Sequence, residues 1–196
     1  MFNSYMHATL EQHIKKFINI SKEDLEKVLP FFVHMQVKKK QNLLIEGTIC
    51  QHNYFMAKGC TRLFFVNEKG IEQTIQFAIE NWWLADYASF EKKQPSLFYI
   101  QAVEKCDVLA ISYNEQEKML TQFPQMERYF RLIHQRAHAA AQFRIKNLYT
   151  LSREELYHQF NKLYPEFVQR IPQYLLASYL GFTPEYLSEL RRRAIS

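Results

Sequence analysis

Apolar positions along the chain follow a helical period first, then an alternating one, then a helical one again. From Leu10 to Ile18 they fall at helical spacing. Ser21 with Asp24 three residues later forms a capping box, which starts a short helix through Leu25, Val28 and Leu29. Pro30 ends it, since proline lacks the N–H and restricts the residue before it. Between Phe31 and Ser112 the alternation predicts strands at Val33 to Val37, Leu43 to Ile45, Tyr54 to Met56, Leu63 to Val66, Ile71 to Phe77, Tyr99 to Val103 and Val108 to Ile111. Gly47, Gly59 and Gly70 separate them, and Asn67-Glu68-Lys69-Gly70 reads as a hairpin loop. Short strands with regular turns predict a barrel or jelly roll. Asn81 to Phe98, with Trp82, Trp83 and Pro95, interrupts the series as an inserted loop or helical turn.

The helical period returns at Tyr113 to Phe123, breaks at Pro124, and runs unbroken from about Met126 to Leu151. Met126, Phe130, Ile133, Ala137, Ala141, Ile145 and Leu148 form one stripe, and Tyr129, Leu132, Ala139 and Phe143 a second beside it. A helix with two apolar faces needs two partners. One is its own barrel; the other is either the same helix of a second chain or more of a single monomeric core. Alanines at the seam allow close helix approach and favour a homodimer through Phe130, Ile133, Ala137, Ala141, Ile145 and Leu148. Ser152 and Glu155 make another capping box, starting a helix to about Leu163, with Pro165 and Pro172 beyond it.

Two short amphipathic helices then meet at Gly181. Leu175, Leu176, Ala177 and Leu180 give the first an apolar face, and Leu187 and Leu190 the second. A left-handed stop suits glycine, Thr183 supplies an N-cap oxygen, and Pro184 takes the first helical position. This spacing predicts a helix-turn-helix. Arg191, Arg192 and Arg193 follow the last apolar position, more cations than a helix C-terminus needs and suited to phosphate contact.

Composition changes this picture little. Of 196 residues, 47% are hydrophobic and 15% aromatic, ample for a packed core. The net charge of +5 divides into 19 basic against 15 acidic side chains before Ser152 and six against five from there on, so any DNA-binding signal is local to the terminal arginines. Cys50, Cys60 and Cys106 form no C-x-x-C pair, which leaves neither a zinc site nor an iron–sulfur cluster, and points to reduced thiols. No signal peptide or membrane-crossing stretch is visible, so a cytoplasmic protein without a membrane partner is expected. His134 and His138 stand four apart without an acidic partner in an H-E-x-x-H frame, and no nucleophile elbow or P-loop is present. No catalytic residue, metal or cofactor is expected, and the chain is not read as an enzyme.

A barrel, a long helix and a terminal helix-turn-helix resemble the Crp/Fnr family of bacterial transcription regulators, over nearly the whole chain. The resemblance is most specific at Leu44 to Thr48, at Tyr54 to Gly59 with Arg62 following, and at Ala177 to Arg192. It is similar to the divergent members of Bacteroidetes-type bacteria. The family implies an α+β chain: a β-roll (jelly-roll-like) sensor at residues 1–123, a dimerisation helix at 124–151, and a helix-turn-helix domain at 152–196. The expected partners are double-stranded DNA carrying a two-fold symmetric operator, a second copy of the chain, and an unidentified small-molecule effector. No wing is expected after the second helix, since the sequence given stops at Ser196.

The resemblance also implies site residues. In cyclic-nucleotide-binding members a Gly-Glu pair opens the phosphate cassette and an Arg-Ser pair closes it. The Glu holds the ribose hydroxyl and the Arg the phosphate. The matching positions here are Ala85 and Asp86, then Ser96 and Leu97. The carboxylate is kept but the cation is gone, so a buried phosphate would be uncompensated. A degenerate pocket with Trp83 in its wall is expected, its rings filling the core. On the second helix Glu185 matches an acidic base-reading position, while two family arginines correspond to Pro184 and Glu189. DNA contacts are expected from Thr183, Glu185, Tyr186, Ser188, Glu189, Arg191, Arg192 and Arg193. Glu185 and Glu189 also admit an alternative, a β-roll sensor or interaction module whose DNA-binding end has degenerated.

Overall fold

The computed structural model describes residues 2–193. Helices α1 (Phe2–Lys15) and α2 (Lys22–Val28) lead into strands β1 (Val33–Val37), β2 (Asn42–Leu44), β3 (His52–Lys58), β4 (Thr61–Val66), β5 (Glu72–Ala78) and β6 (Trp83–Leu84). Helix α3 (Tyr87–Lys92) interrupts the strands before β7 (Tyr99–Ala102) and β8 (Cys106–Ser112). Helices α4 (Tyr113–Gln122), α5 (Gln125–Thr150), α6 (Arg153–Leu163), α7 (Pro165–Arg170), α8 (Gln173–Leu180) and α9 (Pro184–Arg193) follow. The predicted α+β class holds. Three local details differ from the sequence pattern. The first helix covers residues 2–15 instead of 10–18, Pro30 sits inside a 3-10 turn, and Pro165 starts α7 where a plain break was expected. Proline at a first helical position lacks only an N–H that the helix does not use. The expectation that no wing follows α9 falls on residues 194–196, outside the described residues.

Two antiparallel sheets face each other, in strand orders β1-β8-β3-β6 and β2-β7-β4-β5. Side chains alternate across each strand, so each sheet has an inner and an outer face. Along β3, Tyr54 and Met56 point into the space between the sheets, while Phe55 and Ala57 point out against helices. On β8, Val108 and Ala110 point in, and Leu109 and Ile111 out. Both faces of β8 are therefore covered, and its central residues are all buried. Outside the first sheet lie α1, α4 and the start of α5, around Leu10, Ile14, Met119, Met126 and Tyr129. Outside the second lie α6–α9, packed on Cys60, Phe77 and Val103. The order of layers is thus helices, sheet, roll interior, sheet, helices.

Gly59 turns β3 into β4 at φ 103°, and a Cβ there would sit 2.7 Å from the Cys106 Sγ and 2.9 Å from the Lys105 carbonyl. Only glycine lets the two turns of the roll approach this closely.

The 26-residue helix α5 begins inside the core and leaves it. Met126, Tyr129 and Phe130 are buried by the chain's own layers, and Ile133 is half-buried against them. Farther along, Ala137 and Ala141 are exposed, as are Phe143, Ile145 and Leu148 at 47%, 53% and 45%. The expected seam therefore needs correcting at its start. Phe130 packs edge-on to Trp83 and Tyr129 of its own chain, so it is not free to meet a second helix.

Candidate functional site

Asp86, matched to the opening of the cassette, is the N-cap of α3. Its Oδ1 accepts the Ala88 and Ser89 N–H groups at 3.2 and 3.3 Å, and its Oδ2 accepts the Ser96 hydroxyl at 2.7 Å. Ser96 is 1% exposed, and its backbone is tied to the loop before β3: Ser96 N–H donates to Thr48 O, and Gly47 N–H to Ser96 O. Its Oγ also accepts the Phe98 N–H at 3.0 Å. Ser89 joins the same network, donating to Gln94 O at 2.6 Å and accepting the Cys50 N–H at 2.9 Å. The residues matched to a ligand's two ends thus bond each other, and their buried polar atoms are satisfied within the chain.

The space beneath them is occupied by side chains. Tyr54, Met56, Leu84, Ala85, Phe90 and Ile100 pack together between the sheets, and the Tyr54 hydroxyl donates to Leu43 O at 3.1 Å. Ala85 lies in that interior. Two of the expected pocket residues do not. Leu97 is 71% exposed, at a bend next to buried Ser96. Trp83 sits on the outer face of its sheet, between Phe32, Phe55 and Phe130. Its Nε1–H donates to the Tyr129 hydroxyl at 2.8 Å, so it joins the roll to α5 instead of lining a pocket. That hydroxyl in turn meets His13 Nδ1 at 2.7 Å.

Arg62 also faces outward. It is 3% exposed, bonds Glu72 at 2.6 Å and Gln101 at 2.7 Å, and lies 3.9 Å over the Phe64 ring. It is committed to the outer face of its sheet and supplies no charge to the cassette. The cysteines are buried and free, and burial pushes the Cys60 thiol up to about 12 and the Cys106 thiol to about 11. Thiols held that far from ionisation are poor nucleophiles and poor metal ligands. Among the described residues no group of three His, Cys, Asp or Glu is placed to hold a metal ion. His134 packs edge-on against Tyr87 at 4.7 Å.

At the other end of the chain, Gly181 takes φ 76° and stops α8. Phe182 N–H returns to Ala177 O at 2.9 Å, and the Thr183 Oγ1 accepts the Tyr186 N–H at 3.3 Å, capping α9. Leu175, Leu176, Ala177, Leu180, Leu187 and Leu190 form one buried seam between the two helices. Thr183, Glu185, Ser188, Arg192 and Arg193 are exposed on α9, with Tyr186, Glu189 and Arg191 half-buried. Two details go beyond the sequence reading. Glu189 pairs with Arg193 one turn on, and the Arg153 guanidinium of α6 stacks over Tyr186 at 5.6 Å. The first follows from i, i+4 spacing, whereas nothing local signals the second.

Residues 34–123 match the cyclic nucleotide-binding domain family. Among solved structures, the chain is similar to CLP of Xanthomonas campestris, a c-di-GMP responsive global regulator, at 14% identity over 89% of this chain and 91% of that one, with a TM-score of 0.70. FixK2 of Bradyrhizobium japonicum is similar at 15% identity over 83% of each chain, TM-score 0.69. A protein of Eubacterium rectale assigned to the Crp/Fnr family is similar at 12% identity over 89% of this chain and 83% of that one, TM-score 0.68. No curated protein matches the chain. At these identities the structural likeness establishes the fold. Residues 34–123 thus match the cyclic nucleotide-binding domain family, and the chain as a whole shares the fold of the regulator from Xanthomonas campestris and of the Crp/Fnr-family protein from Eubacterium rectale.

Proposed function

We propose that the protein is a homodimeric, DNA-binding transcription regulator of the Crp/Fnr type that does not answer to cyclic AMP. The observation that carries this is the α8–α9 pair. It is built around a left-handed Gly181, with its second helix exposing Thr183, Glu185, Ser188 and Arg192 in a chain of this architecture. In such a pair the N-terminal part of the second helix enters the major groove, and flanking cations hold phosphates. Residues 1–123 serve as the sensor, 124–151 as the dimerisation helix and 152–196 as the DNA-reading part. Ala137, Ala141, Ile145 and Leu148 form the seam between two copies, related by a two-fold axis that the operator shares.

The cassette carries the second half of the proposal. A cyclic phosphate brings a full negative charge, and helix N–H groups alone offset roughly half a charge. The arginine that would supply the rest is replaced by Ser96, whose hydroxyl is already given to Asp86.

A second reading is favoured by one observation. Glu189 neutralises Arg193, and Glu185 adds a carboxylate beside the expected phosphate path. This suits a β-roll interaction module that has lost its operator. Selection of the full-length protein against a random DNA pool, followed by salt-dependent binding of the enriched sequences, separates the two. Enrichment of a two-fold symmetric site with a steep salt slope supports the regulator. Failure to enrich any sequence leaves the interaction module.

A further inference from the structure

We propose that Ser178 is a positioning residue, which docks the first helix of the helix-turn-helix on the open edge of the roll and thereby sets how α9 is presented. Among the described residues, strand β5 is the last in its sheet, so the outward N–H and C=O groups along it have no neighbouring strand there. Helix α8 supplies partners for them. The Ser178 Oγ accepts the Thr74 N–H at 2.8 Å and donates to Glu72 O at 2.8 Å, while the Gln73 side-chain amide donates to the Ser178 carbonyl. One hydroxyl therefore fills an acceptor and a donor role that a strand would otherwise fill. Serine is a poorer helix former than the alanine beside it, and this bond accounts for its place in α8.

The next residue ties the same helix to α5. The Arg144 guanidinium donates to Tyr179 O at 2.8 Å and lies 4.3 Å over the Tyr179 ring, which packs against Phe77 of β5 at 5.2 Å. A third tie lies before α8. Arg170, at the end of α7, bonds Glu80 through two nitrogens at 2.8 Å and reaches Glu104 at 2.8 Å. Adjacent residues of α8 are thus fixed to the strand on one side and to the long helix on the other. Gln173, Tyr174, Thr183, Glu185, Ser188 and Arg192 remain exposed. The contact positions the reading surface and does not mask it.

The inference rests on the DNA-binding reading above. In a dimer joined through α5, tying α8 to both β5 and α5 fixes the separation of the two copies of α9, and hence the half-site spacing. The test uses full-length protein as wild type, Ser178→Ala and Ser178→Thr, with two measurements. Amide exchange of Thr74 should be about five- to tenfold faster in Ser178→Ala and near wild type in Ser178→Thr, which keeps the hydroxyl. In selection from a random DNA pool, Ser178→Ala should accept a wider range of spacings between unchanged half-sites, and Ser178→Thr should restore the narrow one. Faster exchange with unaltered spacing overturns the positioning role, as does unaltered exchange. If wild type enriches no DNA at all, the DNA-binding reading falls and the role of Ser178 falls with it.

Discussion

Ser96 donates its hydroxyl proton to the Asp86 carboxylate across 2.7 Å, joining the two residues matched to the start and end of the cassette. In a relative that holds a nucleotide these positions would face a ligand. Here they face each other. Calorimetric titration with cyclic AMP or cyclic GMP should give no saturable heat at micromolar concentrations. Tight binding of either would mean that the Asp86–Ser96 bond opens and that another cation enters. Ser96→Ala leaves a buried Asp86 oxygen without its partner and should lower stability by about 1–3 kcal/mol, read as a shift of the urea midpoint.

His13 predicts a pH dependence. Burial, with Lys16 and Arg136 nearby, lowers its pKa from 6.5 to about 4. Trp83 donates to the Tyr129 hydroxyl, which leaves that hydroxyl's own proton for His13 Nδ1, so the ring is held neutral. The folded pKa lies below the unfolded one. The contribution is therefore complete above pH 6.5 and is lost as the pH falls toward 4, with a ceiling of about 3 kcal/mol. His13→Gln keeps an acceptor for Tyr129 but cannot titrate. The difference in urea midpoint between wild type and this variant should shift against wild type between pH 7 and pH 5. A constant difference would remove His13 as the cause.

Association is predicted to run through the exposed half of α5. Ala141→Glu places a charge where two helices would meet most closely, and should give monomer in sedimentation at concentrations where wild type is dimeric. The fold should survive, because Ala141 touches solvent in the single chain. An unchanged dimer places the interface elsewhere.

Arg192→Ala should weaken binding to the selected operator. The loss is about 1–3 kcal/mol with relaxed specificity at one base pair if the guanidinium reads a guanine. If it meets only phosphate, the loss is similar for all sequences and the salt slope becomes shallower by about one. No change in either quantity would count against α9 in the groove.

Gly59→Ala should be the most damaging single methyl in the roll. Its Cβ would press on the Cys106 Sγ and Cα and the Lys105 carbonyl, at a φ that side chains avoid. A loss on the order of 3 kcal/mol is expected. Gly47→Ala meets no atom within 4 Å and should cost less, although its φ is also positive.

What could be seen in the sequence was what local chemistry decides. Gly181, Thr183 and Pro184 specify a stop, a cap and a start within four residues, and the structure has each in place. Ser152 and Glu155 likewise form both arms of their box. Asp86 and Ser96, matched by resemblance, are in contact. What stayed hidden depends on residues far apart in the chain. Trp83 is apolar in a strand, and only the layers around it decide that it faces Tyr129 and not the roll interior. Phe130 continues a stripe that later becomes exposed, and the pattern does not mark where the chain's own core stops covering it. Ser178, Arg144 and Arg170 look like ordinary surface residues until β5, Tyr179 and Glu80 are folded beside them.

The dock between α8 and β5 has a consequence for solubility. A sheet margin with bare N–H and C=O groups is a template on which another molecule's strand can polymerise. Ser178 and Tyr179 shield that margin with a helix, whose carbonyls at these two residues are taken up by the Gln73 and Arg144 side chains, so it offers no such template. Losing the helix would therefore do more than dismantle the helix-turn-helix. It would leave a sticky rim, and a chain cut after α5 should precipitate or form edge-joined aggregates under conditions where the longer one stays dispersed.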